Sequence, residues 1–360
     1  MSTADYSEQP TAQHQDTYAQ TTAAPDHEQV LEVAETDDSY ETGGSFIEST
    51  ASVAEKLLDY RLENGRTYHK YKDGLYNLPN DSKEAERLDL QHYMFLLSFH
   101  DNLGMAPPNR PGANVGRVLD IGTGTGVWAI DFGDEHPETE VLGVDLSAIQ
   151  SEFTPPNVKF EIDDLEESWT FSKPFDYIHS RLMNSSISDW QRLIRQSFDN
   201  LTPGVFLEII EVDPFLDCDD GTLKPEHSVM KTLNLLMIAA QALGASYQDP
   251  RELEPMMMEA GFTDIVMQQL KWPTNPWPKE DRYKELGALC RQNMDDGWEG
   301  ICMAPLTRAF GWSREKVLDM IEENRKDFHN RDIHAYISVW VIYGKKPENS
   351  AAITADGSTL

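Results

Sequence analysis

Val118-Leu-Asp-Ile-Gly-Thr-Gly-Thr-Gly126 is the stretch on which the reading of this 360-residue chain turns. An apolar run ends in three glycines, and Val127, Trp128 and Ile130 follow at helical spacing. That order predicts a strand, a tight turn and a helix. Bare backbone at such a turn lets a ligand lie against the main chain beside a helix N-terminus. Outward from it, short apolar runs alternate with amphipathic segments. The runs are Arg117–Ile121, Val141–Val144, Val158–Ile162, Tyr177–Ile178 and Val205–Ile210, with Ile265–Leu270 and His334–Tyr343 later. Helices are expected after Gly126, over Asp189–Leu201, along Val229–Ala240, before Gly261, and near Glu280–Met294 and Ser313–Phe328. This alternation predicts an α/β fold of βαβ units around a parallel sheet covered on both faces.

The glycines are spaced G-x-G-x-G, and Val127 stands where a dinucleotide fingerprint would carry its third small residue. Asp120 sits two residues before Gly122. A carboxylate there repels a pyrophosphate but suits a ligand carrying an ammonium and a sulfonium, which points to S-adenosylmethionine rather than NAD. Asp145 ends the second strand 19 residues after Gly126, placed to accept hydrogen bonds from both ribose hydroxyls. Asp164 follows the third strand, suited to an adenine amino group with Leu165 packed on the ring; Asp163 is the neighbouring alternative. Thr123 in the turn and Leu146 after Asp145 complete this expected lining.

Thirty basic and 62 acidic residues give a formal charge of −32, and no basic stripe offsets it, which argues against direct nucleic-acid binding. No apolar stretch reaches the ~20 residues of a membrane span, and without a basic stretch followed by an apolar one near Met1 a secretory leader is not expected. The cysteines (Cys218, Cys290, Cys302) form no CxxC pair, so an intracellular setting, cytoplasm or nucleus, is expected. Residues 1–50 hold eleven Asp/Glu and no Lys or Arg, and read as a disordered acidic tail; residues 347–360 read likewise. A helix is expected from Ser52, with Glu55 at capping-box spacing and Gly65 as its stop. A second starts near Asp81, with Leu88, His92, Phe95, Leu96, Phe99 and Leu103 on one stripe.

Several segments together resemble one family. Leu119-Asp-Ile-Gly-Thr-Gly-Thr-Gly126, Gly143-Val-Asp145, Phe175-Asp-Tyr-Ile-His-Ser-Arg181 and Leu201-Thr-Pro-Gly204 are similar to class I S-adenosylmethionine-dependent methyltransferases. Asn64-Gly-Arg-Thr-Tyr-His69, Val127-Trp-Ala-Ile130, Asn275-Pro-Trp277 and Ile333-His-Ala-Tyr336 narrow this to the fungal LaeA-like branch. The resemblance covers roughly residues 55–346. It implies a Rossmann-like seven-stranded sheet with the last strand antiparallel, helices on both faces and an N-terminal helical lid over 51–114. The methyltransferase domain would span 115–346, with helical insertions about 222–260 and 280–330. The resemblance also implies a role in secondary metabolism or its transcriptional regulation, with velvet-type proteins as partners. Thr123 stands where members often have Cys, and Val205 follows Gly204 where many have a second glycine.

Methyl transfer from a sulfonium is an in-line displacement that needs alignment and exclusion of water, with a base only for a protonated acceptor. Groups expected near the methyl are His179, Ser180 and Arg181, with Glu208 and Glu211 on the next strand. His179 is a candidate base or a structural histidine; Arg181 is a candidate for the cofactor carboxylate or an acidic substrate. Both belong to the expected cofactor set, and no catalytic residue is assigned beyond these two. Tyr68 and His69 are candidates for closing over the cofactor, and Trp272, Trp277 and Trp298 for lining an acceptor pocket or packing the lid. Asp213, Asp217, Asp219 and Asp220 lack calcium-loop spacing and read as solvated charge. The acceptor, small molecule or protein, is left open.

Overall fold

The computed structural model describes residues 60–69, 77–151, 153–184, 186–244 and 247–348. Both expected tails lie outside these, apart from Pro347 and Glu348, as does the helix expected from Ser52 up to Asp59. Its end is corrected: from Tyr60 the chain is extended. Strands β1 (Tyr60–Glu63) and β2 (Arg66–His69) pair antiparallel. Asn64 and Gly65 both take left-handed φ angles, 52° and 84°, the demand of a two-residue hairpin turn that Asn-Gly meets at little cost. The expected helical lid therefore contains a hairpin. Helix α1 (Ser82–Ser98) follows, capped by Asp81, whose carboxylate accepts the Glu84 N–H at 3.1 Å. The same carboxylate holds the Arg66 guanidinium and ties hairpin to helix. His92 and Phe95 of α1 are buried as the stripe requires, but so are Glu84, Arg87, Gln91 and Met94, which lie off it.

The remaining elements are β3 (Arg117–Ile121), α2 (Val127–Glu135), β4 (Glu140–Asp145), β5 (Val158–Ile162), β6 (Phe175–Arg181), α3 (Trp190–Asn200) and β7 (Leu201–Asp217). Then come α4 (Ser228–Ala242), α5 (Leu253–Ala260), β8 (Thr263–Pro273), α6 (Asp281–Phe310), α7 (Arg314–His329) and β9 (Tyr336–Lys345). The sheet order is β5-β4-β3-β6-β7-β9-β8. Pairs from β5 to β7 are parallel, and β9 runs antiparallel to both its neighbours. Successive strands leave β3 on one side to reach β5, then resume on its other side with β6. The carboxyl ends of β3 and β6 thus flank the topological switch point, where open α/β sheets form their crevice.

Both sheet faces are covered, so alternate residues of β3 enter different layers. Val118 packs with Trp128 and Phe132 of α2, whereas Leu119 packs with Leu193 and Ile194 of α3. A third core joins α1, α4, α6 and α7 around Phe95, Trp272, Leu286 and Trp298. Lys346, just after β9, donates to the carbonyls of Phe198 and Leu201, both at 2.7 Å, and so closes the end of α3.

Helix α6 is longer than its expected end near Met294: it runs to Phe310, through Gly297, Gly300 and Pro305. Its glycines mark close approaches instead of breaks. A Cβ at Gly297 would lie 2.3 Å from Arg87 Cδ, and one at Gly287 would lie 2.3 Å from the Asn275 carbonyl oxygen. The second contact is with backbone, which cannot yield. Gly287→Ala should therefore destabilise the protein by about 1–3 kcal/mol, read as a lowered urea midpoint with unchanged slope; an unaltered midpoint would contradict this packing.

Candidate functional site

At the end of β3 the chain turns through Gly122, Gly124 and Gly126 at φ angles of 67°, 58° and 81°, the left-handed region that glycine enters without strain. Gly122 and Thr123 donate their N–H groups to the Val144 carbonyl, at 2.9 and 3.1 Å, which fastens the turn to β4. Asp120 is buried beneath it. One carboxylate oxygen accepts the Thr123 hydroxyl at 2.6 Å and the other accepts His179 Nδ1 at 2.7 Å. Thr123 thus contributes a bond that a small apolar residue would not. The His179 ring lies flat on Trp128, centroids 3.8 Å apart and planes 5° apart. Its other ring nitrogen, Nε2, is buried and has no hydrogen-bond partner among the described residues.

Asp145 ends β4 with its carboxylate folded back on the turn. It accepts the N–H groups of Gly124 and Ser147, each at 2.9 Å. Burial still pushes its pKa up to about 6, because those two bonds only partly offset desolvation. Beyond β5, Asp163 Oδ1 accepts the Asp164 N–H at 2.8 Å and Asp164 Oδ1 accepts that of Glu166 at 3.0 Å. Asp163 is exposed, while Asp164 and Leu165 are buried. Gln150 donates to the carbonyls of Gly124 and Ser147, both at 2.8 Å, and braces this side.

A cavity of about 270 Å³ runs along these strand ends. It is lined by every residue of the expected cofactor set, Leu146 included, except Gly126. Gly126 instead abuts the Phe160 ring, which a Cβ there would meet at 2.4 Å. Gly122 is covered by Met183, whose sulfur would lie 2.0 Å from a Cβ at that position. Gly124 is more open, with Leu88 Cδ1 at 3.6 Å the nearest atom.

Arg181 lines the cavity with its guanidinium stacked 4.6 Å over Phe95. Both Nη atoms are 3.3 Å from His92 Nδ1, and His92 Nε2 is 2.9 Å from Asp131. Burial, the largest influence, lowers the His92 pKa despite Asp131, so a neutral ring links guanidinium and carboxylate. Burial likewise pulls Arg181 down to about 10, which leaves it charged at neutral pH. Among the described residues no carboxylate lies within ion-pair distance of it.

Other expected positions divide. Glu211 lines the cavity; Glu208 does not. Glu208 accepts from the N–H groups of Met105 and Ala106, from Asn109 and from the Tyr177 hydroxyl, and so anchors the segment leading to β3. Their separation of three residues was the available signal, since odd spacing along a strand puts side chains on opposite faces. Ser180 is buried off the cavity. His69 reaches the lining, while Tyr68 packs under Arg308, 4.9 Å above its ring. None of the three tryptophans lines the cavity. Trp272 packs on Phe95, Trp298 on Phe328, and Trp277 donates to the Ala335 carbonyl. Asp219 pairs with Lys271 and Asp220 with His334, and Ser338 donates to Asp217. Sequence reasoning missed Glu84, Arg87, Gln91 and Tyr247 in the lining. The first three recur at helical spacing along α1, a legible sign; a lone tyrosine in the loop after α4 has none.

Residues 90–266 match the family model of a methyltransferase domain. Methyltransferase pytC of Aspergillus terreus is 38% identical over 83% of this chain and 92% of its own length. The secondary metabolism regulator laeA of Aspergillus flavus is 33% identical over 86% of this chain and 84% of its own. A solved structure, Haemonchus contortus phosphoethanolamine N-methyltransferase 2, is a looser match. Its TM-score is 0.47 at 16% identity, over 83% of this chain and 74% of that one. Carried by the curated relatives across most of its length, the chain belongs to the class I S-adenosylmethionine-dependent methyltransferases, in their fungal LaeA-like branch.

Proposed function

We propose that the cavity at the switch point binds S-adenosylmethionine and that a methyl acceptor, small molecule or protein side chain, meets it there. The observation that carries this reading is a single hollow in which bare backbone at Gly124 is flanked by carboxylates from three successive strand ends. The donor set suits that cofactor. Asp120 offers negative charge for an ammonium, Asp145 accepts from ribose hydroxyls, and Asp164, or Asp163 beside it, takes an adenine amino group over Leu165. Among the described residues Arg181 has no carboxylate within ion-pair distance, and its guanidinium suits the carboxylate of the amino-acid end. Among the described residues, three buried polar atoms of the lining, Asn80 Nδ2, Gln91 Oε1 and His179 Nε2, have no protein partner, as expected where a ligand completes the bonding. Once bound, the cofactor supplies an electrophilic methyl on sulfur. The protein's part is to hold the acceptor in line and exclude water, with Trp128 fixing His179 and His92 fixing Arg181.

The acceptor follows from the relatives only as alternatives. The pytC relative, a methyltransferase by name, favours direct methyl transfer, whereas the laeA relative, a secondary metabolism regulator by name, favours regulation; for the second reading we propose the nuclear setting and velvet-type complex that the sequence resemblance implies. In the second case catalysis is secondary to partner binding. Replacing Gly122 by Arg together with Gly124 by Ala should remove cofactor binding. Survival of the biological effect in that variant would establish the scaffold role.

Calorimetric titration tests the cofactor reading. Saturable binding of S-adenosylmethionine is expected, and Asp145→Ala should weaken it about 10- to 100-fold, the worth of hydrogen bonds to a charged group; no saturable heat at millimolar ligand would contradict it. Because Asp145 titrates at about 6 in the free protein, and ribose hydroxyls donate to the ionised form, affinity for S-adenosylhomocysteine, which carries no sulfonium, should be level above pH 7. It should weaken roughly tenfold per pH unit below 6, and Asp145→Asn should flatten that fall.

A further inference from the structure

Glu211 stands at the acceptor end of the cavity, outside the cofactor set. Its side chain is wholly buried, and it accepts the Met183 N–H at 2.7 Å and, more weakly, the Asn184 N–H at 3.3 Å. Among the described residues no cation lies within ion-pair distance. Burial pushes its pKa up to about 8, so at neutral pH most molecules carry it as the neutral acid. Asn184 exchanges hydrogen bonds with the Gln248 backbone, both at 2.7 Å, and so holds Tyr247 in the lining. The Tyr247 phenol is raised by burial first, then by the nearby Cys302 thiol and Glu211. The other charged or titratable groups around the hollow include Arg181 and His179 on β6, Asp120 on β3, and Glu84 and Arg87 on α1.

The sheet sets the distance to the turn. With order β3-β6-β7, and Ile121, Ser180 and Ile209 in register, Glu211 of β7 lies two strand spacings across from the end of β3, about 10 Å at ~4.8 Å per strand. Met183 spans that gap, its N–H on Glu211 and its sulfur against Gly122. A unit positive charge ~10 Å away in a medium of effective dielectric ~20 lowers a carboxyl pKa by about 1. For an acid poised near neutrality that reverses the dominant form.

We propose that Glu211 is a charge-gated base: neutral in the empty protein, ionised when a sulfonium occupies the glycine-turn cavity, and only then able to take a proton from a protic methyl acceptor. The inference rests on the cofactor reading above. On loading, Glu211 gives its proton to solvent. On transfer, the acceptor heteroatom forms its bond to the methyl carbon, and the pair of the breaking carbon–sulfur bond stays on sulfur. The acceptor's proton then passes to Glu211. Sulfur is now neutral, so the carboxyl keeps that proton. The acceptor class this selects is a neutral hydroxyl, phenol, enol or amine, and the binding order is cofactor first.

The test needs no acceptor. Titrations of S-adenosylmethionine and of S-adenosylhomocysteine, which lacks the positive charge, are run at pH 7.5 in phosphate and in Tris. The buffer dependence of the heat counts protons released. Asp145 contributes equally for both ligands, so the difference isolates the sulfonium. About half a proton more should leave with the methylated ligand, as expected for a pKa moving from about 8 to about 7. Glu211→Gln, whose amide oxygen can still accept from Met183, should remove that difference while leaving homocysteine-ligand affinity within about threefold. Equal proton counts, or a difference that persists in Glu211→Gln, overturns the inference and leaves the cofactor reading standing. Saturable heat from neither ligand overturns the cofactor reading and this inference with it. Should Glu211→Gln fail to fold, the wild-type difference across pH decides: it must peak between 7 and 8 and vanish at 5.5 and 10, and a flat difference contradicts the gate.

Discussion

The buried carboxylate of Asp120 is the constraint on which the rest of the site depends. Burying a charge is costly unless hydrogen bonds hold it. Here one oxygen takes the Thr123 hydroxyl inside the glycine turn and the other takes His179 on the neighbouring strand. His179 is in turn fixed face-on against Trp128 of α2. Three elements that diverge from the switch point are thus locked to one side chain, and the turn has little freedom to vary. That rigidity is what a binding surface of bare backbone requires. A floppy glycine loop would have to be ordered by its ligand at the expense of affinity.

The same physics separates two glutamates on β7. Glu208 is buried among four donors, two of them backbone N–H groups, and serves as an internal anchor for the chain that enters β3. Glu211 is equally buried but has two backbone donors, one of them long, and burial pushes its pKa up. Opposite faces of one strand therefore give a structural carboxylate on one side and a cavity-lining one on the other. Arg181 on β6 follows a parallel logic. Its guanidinium is steadied by a neutral imidazole instead of an opposite charge, which keeps its field available to the cavity.

Much of this was legible in the sequence because it is written in local terms. Strand periodicity, the three-glycine turn and an aspartate at successive strand ends need only a few neighbouring residues to be read. Asp189 and Asp81 likewise mark their helix starts within four residues. What escaped depends on partners distant in the chain. Gly65 ends no helix, because Asn64 before it completes a hairpin turn. Gly297 and Gly300 do not stop α6, since they make room for Arg87, Pro79 and Arg66. The polar face of α1 was masked by its apolar stripe, and Tyr247 gains meaning only through the Asn184–Gln248 clamp. Lys346 next to Lys345 carries no sign in sequence that it closes α3.

A crystal structure of the full chain with S-adenosylhomocysteine is the decisive measurement for cofactor binding at the switch point. Ligand density is expected along the strand ends, with the chain of the ligand against Gly124, ribose hydroxyls within hydrogen-bond distance of Asp145 and the adenine between Asp164 and Leu165. Density elsewhere, a hollow filled by the protein's own side chains, or preferential occupation by a nicotinamide dinucleotide in a competing soak would contradict it.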